Sequence, residues 1–121
     1  MKGPRLGDWL SAAPFSLAMS SGFFGFFSHA GVVAALDESN LIPSRLSGSS
    51  AGALVTIASA AGLGPADLAE ALEALKRDDF WDPGRFFGLA QGGLLRGDRF
   101  RRRIEALLPV NSFEALSLIH I

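Results

Sequence analysis

The chain has 121 residues, 49% of them hydrophobic and 19% charged, with a net charge of −1 and a mean hydropathy of +0.30. This balance excludes a disordered chain, offers no basic field for nucleic acid, and gives enough apolar material for one small domain. The absence of cysteine excludes disulfides and cysteine-ligated metals, and the expected setting is cytoplasmic.

Residues 1–14 read as an N-terminal extension. Their apolar run, 9–13, is interrupted by Ser11 and is shorter than the core of a signal peptide. The alternation over 15–20 predicts a strand, with Phe15, Leu17 and Met19 on one face and Ser16, Ala18 and Ser20 on the other. Small residues on that second face lead us to expect a helix packed closely over it. A turn with Gly22 and Gly25 follows, and 26–38 reads as a helix with Phe26, Ala30, Val33 and Ala34 as its apolar stripe. Asn40 is expected to close it, and Pro43 blocks continuation. Residues 45–47 then enter a second strand, and 51–61, which carries no charge, reads as a buried helix ended by Gly62.

Between that strand and that helix lies G-x-S-x-G, as Gly48, Ser49, Ser50, Ala51 and Gly52. A serine at a sharp strand-to-helix turn presents its hydroxyl outward from a strained backbone. The glycines remove side chains that would collide across the bend. The helix N-terminus beyond Ser50 favours the negative charge of an acyl-transfer oxyanion. Strand, helix, strand and helix over 15–62 make a βαβ unit with parallel strands. Both glycine turns, 21–25 and 48–52, therefore open at the same edge of the sheet, where ligands of such folds bind.

Further on, Pro65 begins a helix with Leu68, Leu72 and Leu75 inward and Asp67, Glu70, Glu73 and Lys76 outward. Phe80, Trp81, Phe86, Phe87, Leu89, Leu94 and Leu95 then lie among Gly, Pro and Asp. Such aromatics are read first as core, with contact to lipid as the alternative. Gly97 and Asp98 lead a last amphipathic helix to about residue 108, with Phe100, Ile104, Leu107 and Leu108 as its apolar face. Arg99, Arg101, Arg102 and Arg103 read as its solvated face, with attraction to anionic headgroups as the alternative. Asp78, Asp79 and Asp82 read as surface turn residues.

Ser20-Ser21-Gly22-Phe23-Phe24-Gly25, then His29-Ala30-Gly31-Val32, then Gly48 through Leu54 resemble the patatin-like phospholipases. The Phe-Phe-Gly run, with a histidine four residues beyond Gly25, looks more like the triglyceride-lipase branch than the plant storage-protein branch. Gly93-Leu94-Leu95 and Gly97-Asp98-Arg99 add to the likeness, which covers 15–116. The resemblance implies a three-layer α/β/α sandwich on a parallel central sheet. It also implies a serine lipid acyl hydrolase working by a Ser–Asp dyad with no cofactor and no metal. Carried over, Ser50 is the nucleophile and Gly48 and Gly52 form its elbow. The 20–25 loop is the oxyanion hole, with backbone N–H groups of Ser21, Gly22 and Phe23 and the turn glycine Gly25. The implied partner is a lipid ester, with peripheral contact at membranes or lipid surfaces. The resemblance makes His29 structural, although a histidine near the crevice is otherwise a natural general base.

Two departures stand out. Ser20 replaces the loop's first glycine, and Phe24 stands where a basic residue is common. The dyad aspartate of the family precedes a glycine, whereas Asp8, Asp37, Asp67, Asp78, Asp79, Asp82 and Asp98 are each followed by another residue. The expectation is therefore an N-terminal part of such a domain, incomplete at the C-terminus, with 117–121 as a tail at a truncation point. A non-catalytic remnant that binds lipid or a partner is the competing reading.

Overall fold

The structure is a computed structural model that describes residues 3–83, 97–110 and 112–116. Its elements in chain order are α1 (Leu6–Ser11), β1 (Ser16–Met19), α2 (Gly25–Glu38), β2 (Arg45–Gly48), α3 (Ala51–Ala60), α4 (Pro65–Glu73), α5 (Arg77–Phe80) and α6 (Asp98–Leu107), followed by a 3-10 turn at Phe113–Ala115. The helix α1 falls within the segment expected to be an extension. Its Leu6 and Trp9 remain largely exposed.

Strands β1 and β2 pair in parallel, with Ser16 opposite Arg45 and Met19 opposite Gly48. The βαβ unit read from the sequence is thus present, in an α/β arrangement of helices on a parallel sheet. Ser44 ties its entry: both its N–H and its hydroxyl donate to the Phe15 carbonyl at 2.9 Å.

Both helices of this unit end by the same device. After α2, Asn40 adopts a left-handed φ of 54°. Its N–H donates to Asp37 O at 2.9 Å and that of Leu41 to Leu36 O at 2.8 Å. After α3, Gly62 takes φ 87°, its N–H reaches Ser59 O, and Leu63 N–H reaches Ala58 O, each at 3.0 Å. These are paired Schellman bonds, which satisfy carbonyls that a helix end leaves free.

The core joins Met19 and Leu46 of the strands to Ala30 of α2, Val55, Ala58 and Ala60 of α3, Leu68 and Leu72 of α4, and Leu116. Helix α3 packs on both strands and against α2 and α4. One expectation is corrected here. Ser16, Ala18 and Ser20 are exposed, and no described helix covers their face. The helices lie instead over Leu17, Met19 and Leu46. The small residues that permit close packing belong to α3, as Ala51, Gly52 and Ala58, and not to the strand.

In α4, Leu68 and Leu72 are buried and Leu75 is partly buried against the core, as the spacing predicts. The apolar face of α6 is half-buried, and Phe100 stacks on Phe80 with ring centroids 5.0 Å apart. The acids between them do more than line a turn. The Asp79 carboxylate accepts the Lys76 N–H at 2.8 Å and so closes the start of α5. Asp82 accepts the Arg99 N–H at 3.3 Å, which attaches a carboxylate to the N-terminal turn of α6. Phe86, Phe87, Leu89, Gly93, Leu94 and Leu95 lie outside the described residues.

Candidate active site

The parallel register brings the ends of β1 and β2 side by side at Met19 and Gly48. The pairing continues one step further, because Ser49 N–H donates to Met19 O at 3.0 Å. From that point β1 leaves into the 20–24 turn and β2 into the elbow.

Ser50 has φ 52° and ψ −116° and is exposed. Gly52 N–H returns to Ser49 O at 3.0 Å, so Ser49–Gly52 forms a tight turn with Ser50 at its first central position. Those angles belong to a type II′ turn, in which that position ordinarily takes glycine. A serine held there stores strain of about 1–3 kcal/mol. The glycines show how the turn is held. A Cβ on Gly48 would lie 2.6 Å from Ala53 N and closer still to the Gly52 backbone. A Cβ on Gly52 would lie 2.6 Å from the Met19 carbonyl carbon, and closer still to its oxygen. Neither site has room for a side chain, so the strand, elbow and helix meet backbone to backbone.

The second turn lies against the first. A Cβ on Gly25 would stand 3.7 Å from Ala51 Cβ, at the head of α3, and 3.4 Å from His29 Nε2. Gly25 is thus less crowded than Gly48 and Gly52. Its N–H donates to Gly22 O at 2.8 Å, so that amide closes the turn and is not free to receive an oxyanion. Among the described residues the amides of Ser21, Gly22 and Phe23 donate to no protein acceptor. The Ala51 amide, at the first position of α3, is likewise without a carbonyl within the helix. Ala51 was implicit in the elbow pattern but is not marked by any motif letter.

His29 has a definite task. Its Nε2–H donates to the Ser20 carbonyl across 2.8 Å, which fixes the ring's tautomer because a carbonyl can only accept. The bond ties α2 to Ser20, the residue that opens the turn. Sequence pattern placed His29 near the crevice; only the fold identifies its partner. Among the described residues no side chain hydrogen-bonds to the Ser50 hydroxyl.

The basic cluster of α6 is largely engaged within the chain. Arg99 Nε lies 4.0 Å from Asp82, Arg101 Nε donates to Glu105 at 2.8 Å, and an Arg103 guanidinium N–H reaches Ala74 O at 3.4 Å. The hydrogen bond to Glu105, followed by its charge, raises the Arg101 pKa.

Comparison with known proteins finds no matching curated protein and no matching solved structure. One family model, described as patatin-like phospholipase, matches residues 17–119. The match takes in β1 from Leu17 on, β2, both turns and the elbow serine, over most of the chain's length, and on that ground the chain belongs to the patatin-like phospholipase family, a family of lipid acyl hydrolases.

Proposed function

We propose that the chain carries the nucleophile of a serine lipid acyl hydrolase, with Ser50 attacking the carbonyl carbon of a fatty acyl ester. The observation that carries this reading is the elbow itself: a non-glycine residue held at φ 52° between two glycines that admit no Cβ. Strain of this kind persists where surrounding structure over-determines it, and it collects at functional sites.

The chemistry follows from the arrangement. The Ser50 Oγ–C bond forms as the hydroxyl proton passes to a base, which the family resemblance makes an aspartate preceding a glycine, a pair that these 121 residues do not contain. Negative charge gathers on the carbonyl oxygen, where the amides of Ser21, Gly22, Phe23 and Ala51, which have no acceptor among the described residues, are the available donors. Collapse breaks the ester C–O bond, and the alcohol leaves with the proton. Water then attacks the acyl-serine and releases the fatty acid. No metal or cofactor enters this scheme, and the expected substrate is a lipid ester met in the cytoplasm or at a membrane or lipid surface.

A fluorophosphonate probe tests the assignment in lipid-free buffer. Covalent labelling is expected at Ser50 and is expected to vanish in Ser50→Ala. Labelling that survives the substitution refutes the assignment. A chain that takes no label in either form favours lipid or partner binding without catalysis.

A further inference from the structure

We propose that Phe23, Phe24 and Phe27 form an anchor that inserts into an uncharged lipid surface and holds the Ser50 elbow against it. The proposal rests on the reading of Ser50 as the acyl-transfer serine and adds how that serine meets its substrate. Three observations carry it.

The first is exposure at one place. Phe23 is 83% exposed, Phe24 70% and Phe27 48%. The rings of Phe23 and Phe24 touch each other edge to face with centroids 5.0 Å apart, and Phe27 lies against Phe26, which packs on the core. Scattered exposed apolar side chains are ordinary, but two touching exposed rings, with a third exposed ring one helical turn on in the sequence, mark a contact site.

The second is position. Phe23 and Phe24 belong to the turn beside the elbow and Phe27 to the first turn of α2, and Gly25, between Phe24 and Phe26, approaches Ala51 beside the serine. A protein segment seated permanently on these rings would also crowd the entrance to Ser50. A lipid surface covers the rings and supplies the ester at the same time.

The third is charge. No Asp, Glu, Lys or Arg occurs from residue 9 to 36 or from 46 to 66, the stretches that build this edge. Attraction to anionic lipid needs basic residues near the surface, and these two stretches carry none. Adsorption through this edge is therefore governed by apolar burial alone, which salt does not screen.

The experiment uses sedimentation of the chain with phosphatidylcholine vesicles, with and without added phosphatidylserine, at low and high salt. We expect binding to neutral vesicles that is the same at both salt levels and intact in Ser50→Ala. Phe23→Ser and Phe24→Ser are each expected to weaken partitioning roughly tenfold or more, from the transfer free energy of a phenyl ring. Phe24→Trp, which keeps an aromatic anchor, should bind and have its fluorescence quenched by brominated phosphatidylcholine. Undiminished binding of the serine variants, or an unquenched Phe24→Trp, overturns the proposal. So does binding that requires phosphatidylserine and is lost in salt, which assigns contact to the arginines of α6. A chain that self-associates through these rings, and becomes monomeric in Phe23→Ser, overturns it in favour of a second copy. Failure to bind vesicles by a chain whose Ser50 takes the fluorophosphonate refutes the anchor alone, whereas binding without labelling refutes the acyl-transfer reading alone.

Discussion

Replacing Gly52 by alanine sets one methyl group against the carboxyl end of β1. The new Cβ would sit 2.6 Å from the Met19 carbonyl carbon and 2.8 Å from Met19 Cβ. Restoring an ordinary contact of 3.4 Å to the carbonyl carbon alone requires α3 to retreat by about 0.8 Å, and the nearer carbonyl oxygen demands more. That retreat is resisted on both sides. The Met19 carbonyl is bonded to Ser49 N–H at 3.0 Å, and Val55 and Ala58, on the same helix, are fully buried. Overpacking against a close-packed neighbour costs about 1–3 kcal/mol, and a backbone neighbour places the cost at the upper end. Alanine returns about 0.5–1 kcal/mol of helix-interior stability over glycine, so the net loss is about 2 kcal/mol. Gly31, within α2, is the matched control, because a Cβ there meets nothing within 4 Å. Gly31→Ala should gain about 0.5–1 kcal/mol. Urea unfolding of both variants beside the parent reads the difference directly. Equal midpoints for Gly52→Ala and Gly31→Ala would refute the steric account of the elbow.

Three further substitutions separate strain, positioning and capping. Ser50→Gly should stabilise the fold by about 1 kcal/mol, the strain at φ 52° less the added freedom of the unfolded chain, while abolishing fluorophosphonate labelling; a destabilised Ser50→Gly would show that the elbow is not strained. His29→Leu should cost about 0.5–1.5 kcal/mol through its bond to the exposed Ser20 carbonyl and leave labelling of Ser50 in place, with His29→Gln milder; lost labelling with an unchanged melt would make His29 the base. Asp82→Ala removes the carboxylate on the first turn of α6, whose side chain is only 16% exposed, and should cost about 1 kcal/mol in a thermal melt; an unchanged melt would show that this contact holds nothing.

Local rules were enough for much of this chain. The alternation at 15–20, the uncharged run at 51–61 and the 3.6-residue spacing at 65–75 set β1, α3 and α4, because each reflects burial on one face or all round. The glycine spacing around Ser50 marked the elbow, since steric exclusion of a Cβ acts within a few residues. The tertiary structure decided what depends on distant partners. Sequence assigned tight packing to the small residues of β1, but which side of a strand is covered depends on where the helices return. The tautomer of His29 is fixed by a carbonyl nine residues earlier, and Asp82 earns its role from an amide seventeen residues later. Gly25 reads like the other turn glycines, yet its amide is used within the turn while those of Ser21, Gly22 and Phe23 meet no acceptor among the described residues. Periodicity and composition report a residue's preference for water or for a sharp bend; hydrogen bonds between segments, and the availability of an amide, exist only once the backbone has brought those segments together.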